Sequence, residues 1–198
     1  MKLVLATQNP KKLKEMNEIL SHLGVEVVSE AELGVRIEVE ETGETFTDNA
    51  RLKATAVMQA TGLPAVADDS GLCVDALNGG PGVYSARFGG EGLDDKGRYT
   101  LLLEMLRGQT DRAAHFHTSI VWAFPNGDEL VCEGECPGTI AFAPMGEGGF
   151  GYDPVFFVPE LRKTFGQLTA EEKASVSHRG KALRAFAAAL DDYLKGNE

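Results

Sequence analysis

The sequence predicts a mixed α/β fold, in which helices flank one mixed sheet and two lobes surround a central cleft. Short apolar runs typical of strands alternate along the chain with amphipathic helical segments. A hairpin pattern interrupts that alternation, which indicates antiparallel as well as parallel strand pairing. The chain has 198 residues, enough for one sizeable core or for two small lobes that share a sheet. We therefore expect a single domain over residues 1–198.

The first part of the chain predicts a strand and two helices. Residues 3–6 form a short apolar strand. Asn9 and Pro10 suit a helix start, because asparagine is a favoured N-cap and proline fits the first helical position. The apolar residues of this helix recur at helical spacing: Leu13, Met16, Leu20 and Leu23. A second helix spans about 47–61 and ends at Gly62.

The middle of the chain predicts a third helix and a β-hairpin. The helix begins near Asp94 or Asp95. Residues 116–124 and 129–133 form the strands of the hairpin, and the Pro-Asn-Gly-Asp segment 125–128 forms its turn.

The C-terminal part predicts a strand at 155–158 and two helix signals. Thr169 and Glu172 have the spacing of a capping box. The final helix has one apolar stripe, formed by Leu183, Phe186, Leu190 and Leu194.

The composition argues against several classes of function. A net charge of -11 disfavours binding to nucleic acid, whose phosphates favour basic surfaces. No apolar run approaches the roughly 20 residues of a membrane span, and residues 3–6 are too few for a signal peptide. The three cysteines, Cys73, Cys132 and Cys136, are an odd, sparse set that suits a reducing compartment. We expect a cytoplasmic protein that binds neither nucleic acid nor membranes.

A phosphate site is predicted where the first strand meets the first helix. Thr7, Gln8 and Asn9 precede the helix, and Lys11 and Lys12 lie in its first turn. Free backbone N–H groups and the helix dipole attract phosphate there. Lysine opposes the dipole at this position, so these cations do not serve the helix itself. The alternative is that Asn9 only caps the helix and the lysines face solvent.

Two acidic clusters predict a cation site. The strand at 65–67 runs into Asp68-Asp69-Ser70-Gly71, a turn signal, and adjacent aspartates are costly there unless a cation compensates them. The other cluster consists of Glu38, Glu40, Glu41 and Glu44. Mg²⁺ takes one or two protein carboxylates together with substrate phosphate oxygens. The alternatives are an ordinary turn and a solvated acidic loop.

A third segment suits a nucleotide base. Residues 148–153 combine glycines with Phe150, Tyr152 and Asp153, so that rings offer a stacking surface and glycine permits close approach. Lys173 and the Ser-His-Arg-Gly segment 177–180 add donors near a helix start. The alternative is a tight turn whose rings belong to the core.

Taken in order, these segments resemble the inosine triphosphate pyrophosphatase family. Each is short, but the ordered set is specific and spans nearly the whole chain. The matching segments are 6–9 with Lys12, 40–43, 67–72, 79–82 with 84–87, 148–154 and 177–180. Gln8 and Pro10 depart from many members of the family, which affects only the geometry of the first loop.

The resemblance implies an activity and an assembly. The enzyme would hydrolyse XTP, ITP and dITP to the monophosphate and pyrophosphate, and so remove deaminated purines from the nucleotide pool. The resemblance further implies an elongated fold with a cleft between two lobes, a requirement for Mg²⁺, and a homodimer.

The resemblance also assigns residues. Asp69 matches the catalytic proton acceptor, which is also associated with the metal. Glu40 is favoured over Glu41 as the second Mg²⁺ ligand, although the motif does not separate the two. The substrate-binding positions are matched by Thr7, Gln8, Asn9, Pro10, Lys11, Lys12, Ser70, Phe150, Gly151, Tyr152, Asp153, Lys173, His178 and Arg179.

Other interpretations remain open at this point. One is a related pyrophosphatase that prefers pyrimidine or modified nucleotides, and another is a nucleotide-binding module without catalysis. A zinc site is a third, with His115, His117, Cys132 and Cys136 as its ligands.

Overall fold

The computed structural model describes residues 2–7, 10–20 and 23–196, without the side chains of Pro10, Lys11 and Glu15. The strands are β1 (Lys2–Leu5), β2 (Glu26–Ser29), β3 (Ala65–Val74), β4 (Ala113–Ala123), β5 (Glu129–Ile140), β6 (Phe156–Val158) and β7 (Lys163–Thr164). The α-helices are α1 (Pro10–Leu20), α2 (Phe46–Thr61), α3 (Asp95–Met105), α4 (Ala170–Val176) and α5 (His178–Gly196). None of these helices has both the length and the apolar character that a membrane span needs.

The named strands form one mixed sheet in the order β2-β1-β3-β4-β5-β6-β7. β1 is parallel to β2 and to β3, with Leu3 opposite Val27 and Leu5 opposite Val66. β6 is antiparallel to both β5 and β7. The predicted mixed α/β fold is therefore confirmed.

The chain divides into two compact units. Unit 1 comprises Met1–Asp69, Thr118–Gly134 and Lys181–Glu198, and unit 2 comprises Ser70–His117 and Glu135–Gly180. Each unit has its own buried apolar cluster.

The main cluster of unit 1 is built around Trp122. This side chain is fully buried, and its ring contacts those of Phe124, Phe186 and Tyr193 at centroid distances of 4.0, 5.7 and 5.3 Å. The stripe predicted on the last helix packs here, since Leu183, Phe186 and Leu190 are buried in the same cluster and Leu194 packs against it. Burial of each such side chain contributes about 1.5–3 kcal/mol.

The cluster of unit 2 contains three phenylalanine rings. Phe116 of β4 lies 4.7 Å from Phe156 of β6 and 5.7 Å from Phe165, measured between ring centroids. Phe165 begins a short 3₁₀ turn, Phe165–Gln167, directly after β7. This turn brings a core ring close to the helices that follow it.

Several local predictions are confirmed. Asp94 caps α3 by accepting from the Gly97 N–H at 2.7 Å. The capping box before α4 is complete, because the Thr169 hydroxyl accepts from the Glu172 N–H and the Glu172 carboxylate accepts from the Thr169 N–H.

The turn predicted at 68–71 is wrong. β3 continues through these residues to Val74, and both Leu72 and Val74 are fully buried. The local turn propensity of Asp-Asp-Ser-Gly is overridden because the sheet extends and distant lysines compensate both aspartates, as described below. β5 likewise continues beyond residue 133 to Ile140, and β2 was not predicted.

We predict that Phe186→Ala lowers the free energy of unfolding by about 3–5 kcal/mol, because it opens a cavity in the main cluster of unit 1. Urea denaturation followed by the fluorescence of Trp122, the single tryptophan of the chain, measures this directly. Asp192→Ala on the exposed side of the same helix is the control, with an expected change within about 0.5 kcal/mol. Equal midpoints for Phe186→Ala and the wild type would contradict the prediction.

Candidate active site

Asp68 is held by a lysine of α1. Lys12 Nζ donates to both carboxylate oxygens of Asp68 at 2.9 Å, and Asp68 is buried within β3. The sequence assigned Lys12 to phosphate, and the structure adds a fixed carboxylate partner. An ammonium group has three N–H donors, so this pairing leaves one for another acceptor.

Asp69, the next residue along β3, is held by α2 instead. Lys53 Nζ donates to Asp69 Oδ1 at 3.0 Å, and Asn49 Nδ2 donates to Asp69 Oδ2 at 3.3 Å. Asn49 and Lys53 are four residues apart in α2, which places them on one face of the helix. Consecutive strand residues point to opposite faces, so each aspartate has its own lysine.

A second carboxylate joins Asp69 through the same ammonium group. Lys53 Nζ also donates to Glu41 Oε1 at 2.8 Å. The segment that carries Glu41 packs tightly on α2, because Asn49 Oδ1 accepts from the Gly43 N–H at 2.8 Å. A Cβ on Gly43 would lie only 2.7 Å from Asn49 Oδ1, so only glycine fits here without displacement.

Burial controls the electrostatics of this cluster. Burial raises the pKa of Asp69 above its ordinary value, and the opposing effects of Lys53 and Asn49 do not cancel it. Burial lowers the pKa of Lys53, but Asp69 and Glu41 together raise it by more, so it stays protonated at neutral pH. A raised pKa makes the Asp69 carboxylate a stronger base than an exposed aspartate.

The structure brings Glu41, and not Glu40, to Asp69. Glu40 is exposed, whereas Glu41 is half-buried and shares Lys53 with Asp69. The sequence favoured Glu40 as the metal ligand, whereas these contacts place Glu41 beside Asp69, and the choice of ligand stays a prediction. Adjacent residues of an irregular segment point in different directions, and their spacing in the sequence did not predict which of the two would face Asp69.

Asn49 and Lys53 were not predicted from the sequence as site residues. Their signal was present, because a polar pair at a spacing of four on the predicted helix 47–61 marks one helix face. The sequence did not show which side of that helix would face β3.

The first loop lies partly outside the described residues. Gln8 and Asn9 are not among them, and neither are the side chains of Pro10 and Lys11. Thr7 is described and half-buried, with its N–H bonded to Leu5 O at 2.9 Å. The predicted phosphate contacts of this loop therefore stay predictions.

In unit 2, Asp153 organises the segment 148–153. Its carboxylate accepts from the Phe150 N–H at 2.9 Å and forms a short ion pair with Lys173 Nζ. Burial raises the pKa of Asp153 despite the opposing effects of Lys173 and this N–H group. A Cβ on Gly149, whose φ is +77°, would lie 1.9 Å from Asp153 Oδ2, so this tight loop requires glycine.

The two aromatic residues of this segment have different environments. Phe150 is 67% exposed, and Lys173 Nζ lies 4.7 Å from the centroid of its ring. Tyr152 is buried, and its hydroxyl donates to Ser85 O at 2.8 Å. The expectation that both rings offer a stacking surface is therefore wrong for Tyr152, whose ring belongs to the core.

The remaining candidates of unit 2 are Ser70 in β3 and the residues near the start of α5. The His178 ring stacks on Phe116 at a centroid distance of 4.6 Å, and Ser177 Oγ accepts from the Gly180 N–H at 3.1 Å. Arg179 and Ser70 are both half-buried. Lys173 also lies 5.3 Å from the Phe165 ring, which itself stacks on His178.

Among the described residues, no group of three or more histidine, cysteine or acidic side chains is arranged to hold a metal ion. This disfavours the zinc interpretation, and Cys132 and Cys136 pack in the clusters of different units. The carboxylates of Glu41 and Asp69, which already share one cation, fit the smaller ligand requirement of Mg²⁺.

Comparison with known proteins identifies the family. The model of the Ham1 family matches residues 3–189. The chain belongs to the Ham1 family. This confirms the family resemblance found in the sequence.

Curated relatives in this family are similar over nearly their full length. A dITP/XTP pyrophosphatase of Exiguobacterium sp. is 50% identical over 196 residues, covering 99% of this chain and 100% of the relative. A dITP/XTP pyrophosphatase of Thermus thermophilus is 53% identical, covering 97% of this chain and 93% of the relative.

Solved Ham1 structures have the same fold. The HAM1 protein of Coxiella burnetii has a TM-score of 0.94 and 43% identity, covering 97% of this chain and 99% of that one. The Ham1 protein of Staphylococcus aureus has a TM-score of 0.91 and 41% identity, covering the whole of both chains.

We predict that Lys53→Met lowers the free energy of unfolding by about 1–3 kcal/mol, because it leaves two half-buried carboxylates without their shared cation. Urea denaturation at pH 7 without divalent metal measures the change. Lys14→Met is the matched control, since Lys14 pairs with Glu18 at the exposed surface, where the expected change is within about 0.5 kcal/mol. Equal losses of unfolding free energy in the two variants would contradict the prediction that Lys53 compensates two carboxylates.

Proposed function

We propose that this Ham1-family protein is an enzyme that hydrolyses dITP, XTP and ITP to the nucleoside monophosphate and pyrophosphate. The observation that carries the proposal is the half-buried Asp69 carboxylate, which shares the Lys53 ammonium with Glu41 and has a raised pKa. The names of the full-length relatives support the substrate class.

Asp69 would act as the general base. It would orient a water molecule and take its proton while the water oxygen bonds to the α-phosphorus. The bond between the α-phosphorus and the bridging oxygen then breaks, and pyrophosphate leaves. Lys53 and Asn49 fix the Asp69 carboxylate before the reaction, so that little reorganisation is needed at the moment of attack.

Glu41 and Asp69 would hold the Mg²⁺ ion, which when bound neutralises phosphate charge and stabilises the leaving group. We propose Glu41 in preference to Glu40, because only Glu41 shares a cation with Asp69 among the described contacts. The ammonium of Lys53 already stabilises both carboxylates in their charged form, which is the form that a metal ligand requires.

Lys12 would take up charge on the β and γ phosphates. Asp68 orients its ammonium group and leaves one N–H for a phosphate oxygen. The backbone N–H groups at the start of α1, together with Thr7, Gln8, Asn9 and Lys11, would complete this phosphate site.

Base recognition would use unit 2. Phe150 offers an exposed ring for stacking, and Lys173 lies against that ring with its charge balanced by Asp153. Lys173 or Arg179 would donate to the 6-oxo group of inosine or xanthine. Adenine has an amino donor at that position, so its binding would leave a buried donor unpaired, which is costly.

Three further expectations belong to this proposal. The enzyme would form a homodimer, as the sequence resemblance implies. It would act in the cytoplasm, and it would bind neither nucleic acid nor membranes, in keeping with its net charge of -11.

The reaction is tested with a nucleotide panel in the presence of Mg²⁺, in which pyrophosphate and orthophosphate are measured separately. We expect pyrophosphate from dITP, ITP and XTP, and far slower release from dATP and dGTP. Asp69→Asn is the control and should lower kcat by about 10²–10⁴-fold, the usual contribution of a general base. Orthophosphate as first product, or a preference for pyrimidine nucleotides, would refute the assignment.

The choice of metal ligand is tested by a second pair of variants. Glu41→Gln should raise the Mg²⁺ concentration for half-maximal activity by about tenfold or more, because it removes a charged ligand. Glu40→Gln is the matched control and should leave this concentration near the wild-type value. The opposite result would return the assignment to Glu40.

A further inference from the structure

The exposed Phe150 ring depends on two backbone hydrogen bonds beside it. The Phe150 N–H donates to Asp153 on one side of the residue. On the other side, the Gly151 N–H donates to Asp95 Oδ2 at 2.7 Å. Two carboxylates thus bind the backbone at Phe150 and Gly151. Asp153 belongs to the loop itself, and Asp95 does not.

Asp95 reaches the loop from a different element. It is the first residue of α3, its side chain is 57% exposed, and its Oδ1 lies 3.9 Å from Arg98 Nη1. The helix does not need Asp95 as its cap, because Asp94 already accepts from the Gly97 N–H. The Asp95 carboxylate is therefore available to the loop, and it makes a charge-assisted hydrogen bond.

Without the hydrogen bond to Asp95, the backbone of the loop would be free to change conformation at Gly151. Its φ is +59°, and a Cβ built there would meet no atom within 4 Å. No atom packs against the Cβ position of Gly151, in contrast to that of Gly149, which is enclosed by Asp153. Glycine has more backbone freedom than other residues, and the hydrogen bond to Asp95 restrains it here.

The surroundings of this contact support the same interpretation. A shallow concavity of about 530 Å³ separates the first turn of α3 from the loop and is lined by Asp95, Arg98, Tyr99, Phe150 and Gly151, among others. Asp95 and Gly151 both line this concavity, so their hydrogen bond joins the helix to the loop at its wall.

We infer that Asp95 is a positioning residue for base binding, which fixes the Phe150 ring through the backbone of Gly151. This inference rests on the proposed function, in which Phe150 stacks on the purine. Asp95 acts through the loop and does not touch the substrate. Its loss would weaken stacking and leave the chemistry at Asp69 unchanged.

The test compares steady-state kinetics on dITP with Mg²⁺ for three variants. Asp95→Ala should raise KM about tenfold with kcat within about twofold of the wild type, as expected for one lost charge-assisted hydrogen bond. Asp95→Asn should restore KM, because its amide oxygen still accepts. Asp94→Ala removes the cap of the same helix and should leave KM near the wild-type value.

A second measurement does not depend on activity. Hydrogen exchange of the Gly151 amide should be at least about tenfold faster in Asp95→Ala than in the wild type and normal in Asp95→Asn. Should Asp95→Ala not fold, Asp95→Ser replaces it, since its hydroxyl is too short to reach the Gly151 N–H.

The possible outcomes separate the two proposals. Wild-type KM and exchange in Asp95→Ala would overturn the positioning role, and so would an equal rise in KM for Asp94→Ala. If the wild type releases no pyrophosphate, the proposed function fails, and faster exchange in Asp95→Ala would still establish the contact that anchors the loop.

Discussion

The ion pairs of the half-buried Lys53 ammonium group are the interactions on which the charge balance of this part of unit 1 depends. Two carboxylates, Asp69 and Glu41, share this group. Without a cation, burial would favour their neutral forms, and a neutral acid can neither accept a proton nor bind a metal ion well. The position of Lys53 in α2 therefore favours the charged form of Asp69, and Asn49 on the same helix face helps to orient its carboxylate.

Unit 2 uses the same physical arrangement for a different purpose. Asp153 is buried, its pKa is raised by that burial, and one lysine, Lys173, compensates its charge. Here the carboxylate accepts from a backbone N–H as well, so it shapes a loop. Both units thus contain carboxylates that are compensated by a lysine from a helix, Lys53 of α2 in unit 1 and Lys173 of α4 in unit 2.

The regular elements were predictable because their signals are local. Apolar periodicity identified α1 and α5, and Gly62 marked the end of α2. The start of α3 was placed near Asp94 or Asp95, and the capping box of Thr169 marked the start of α4. The hairpin was recognised from its turn, although both of its strands are longer than predicted.

The parts that could not be predicted depend on distant partners. Asp68 and Asp69 resemble a turn until Lys12 and Lys53 are known to face them. Phe150 and Tyr152 are equivalent in the sequence pattern, and only the contact of the Tyr152 hydroxyl with Ser85 separates a core ring from an exposed one. The sequence did not separate the neighbouring Glu40 and Glu41 for a similar reason. They lie in an irregular segment, which has no periodicity from which the direction of a side chain can be inferred.

The pairing of neighbouring aspartates with lysines from separate helices has a consequence for how the sheet assembles. If β3 slipped by one residue, every side chain would move to the opposite face. One lysine would still meet a carboxylate, but the other would face Ala67 or Ser70 and keep an uncompensated charge. The double ion pair therefore penalises misregistered strands, so the same two lysines that compensate the aspartates also select the correct register of β3.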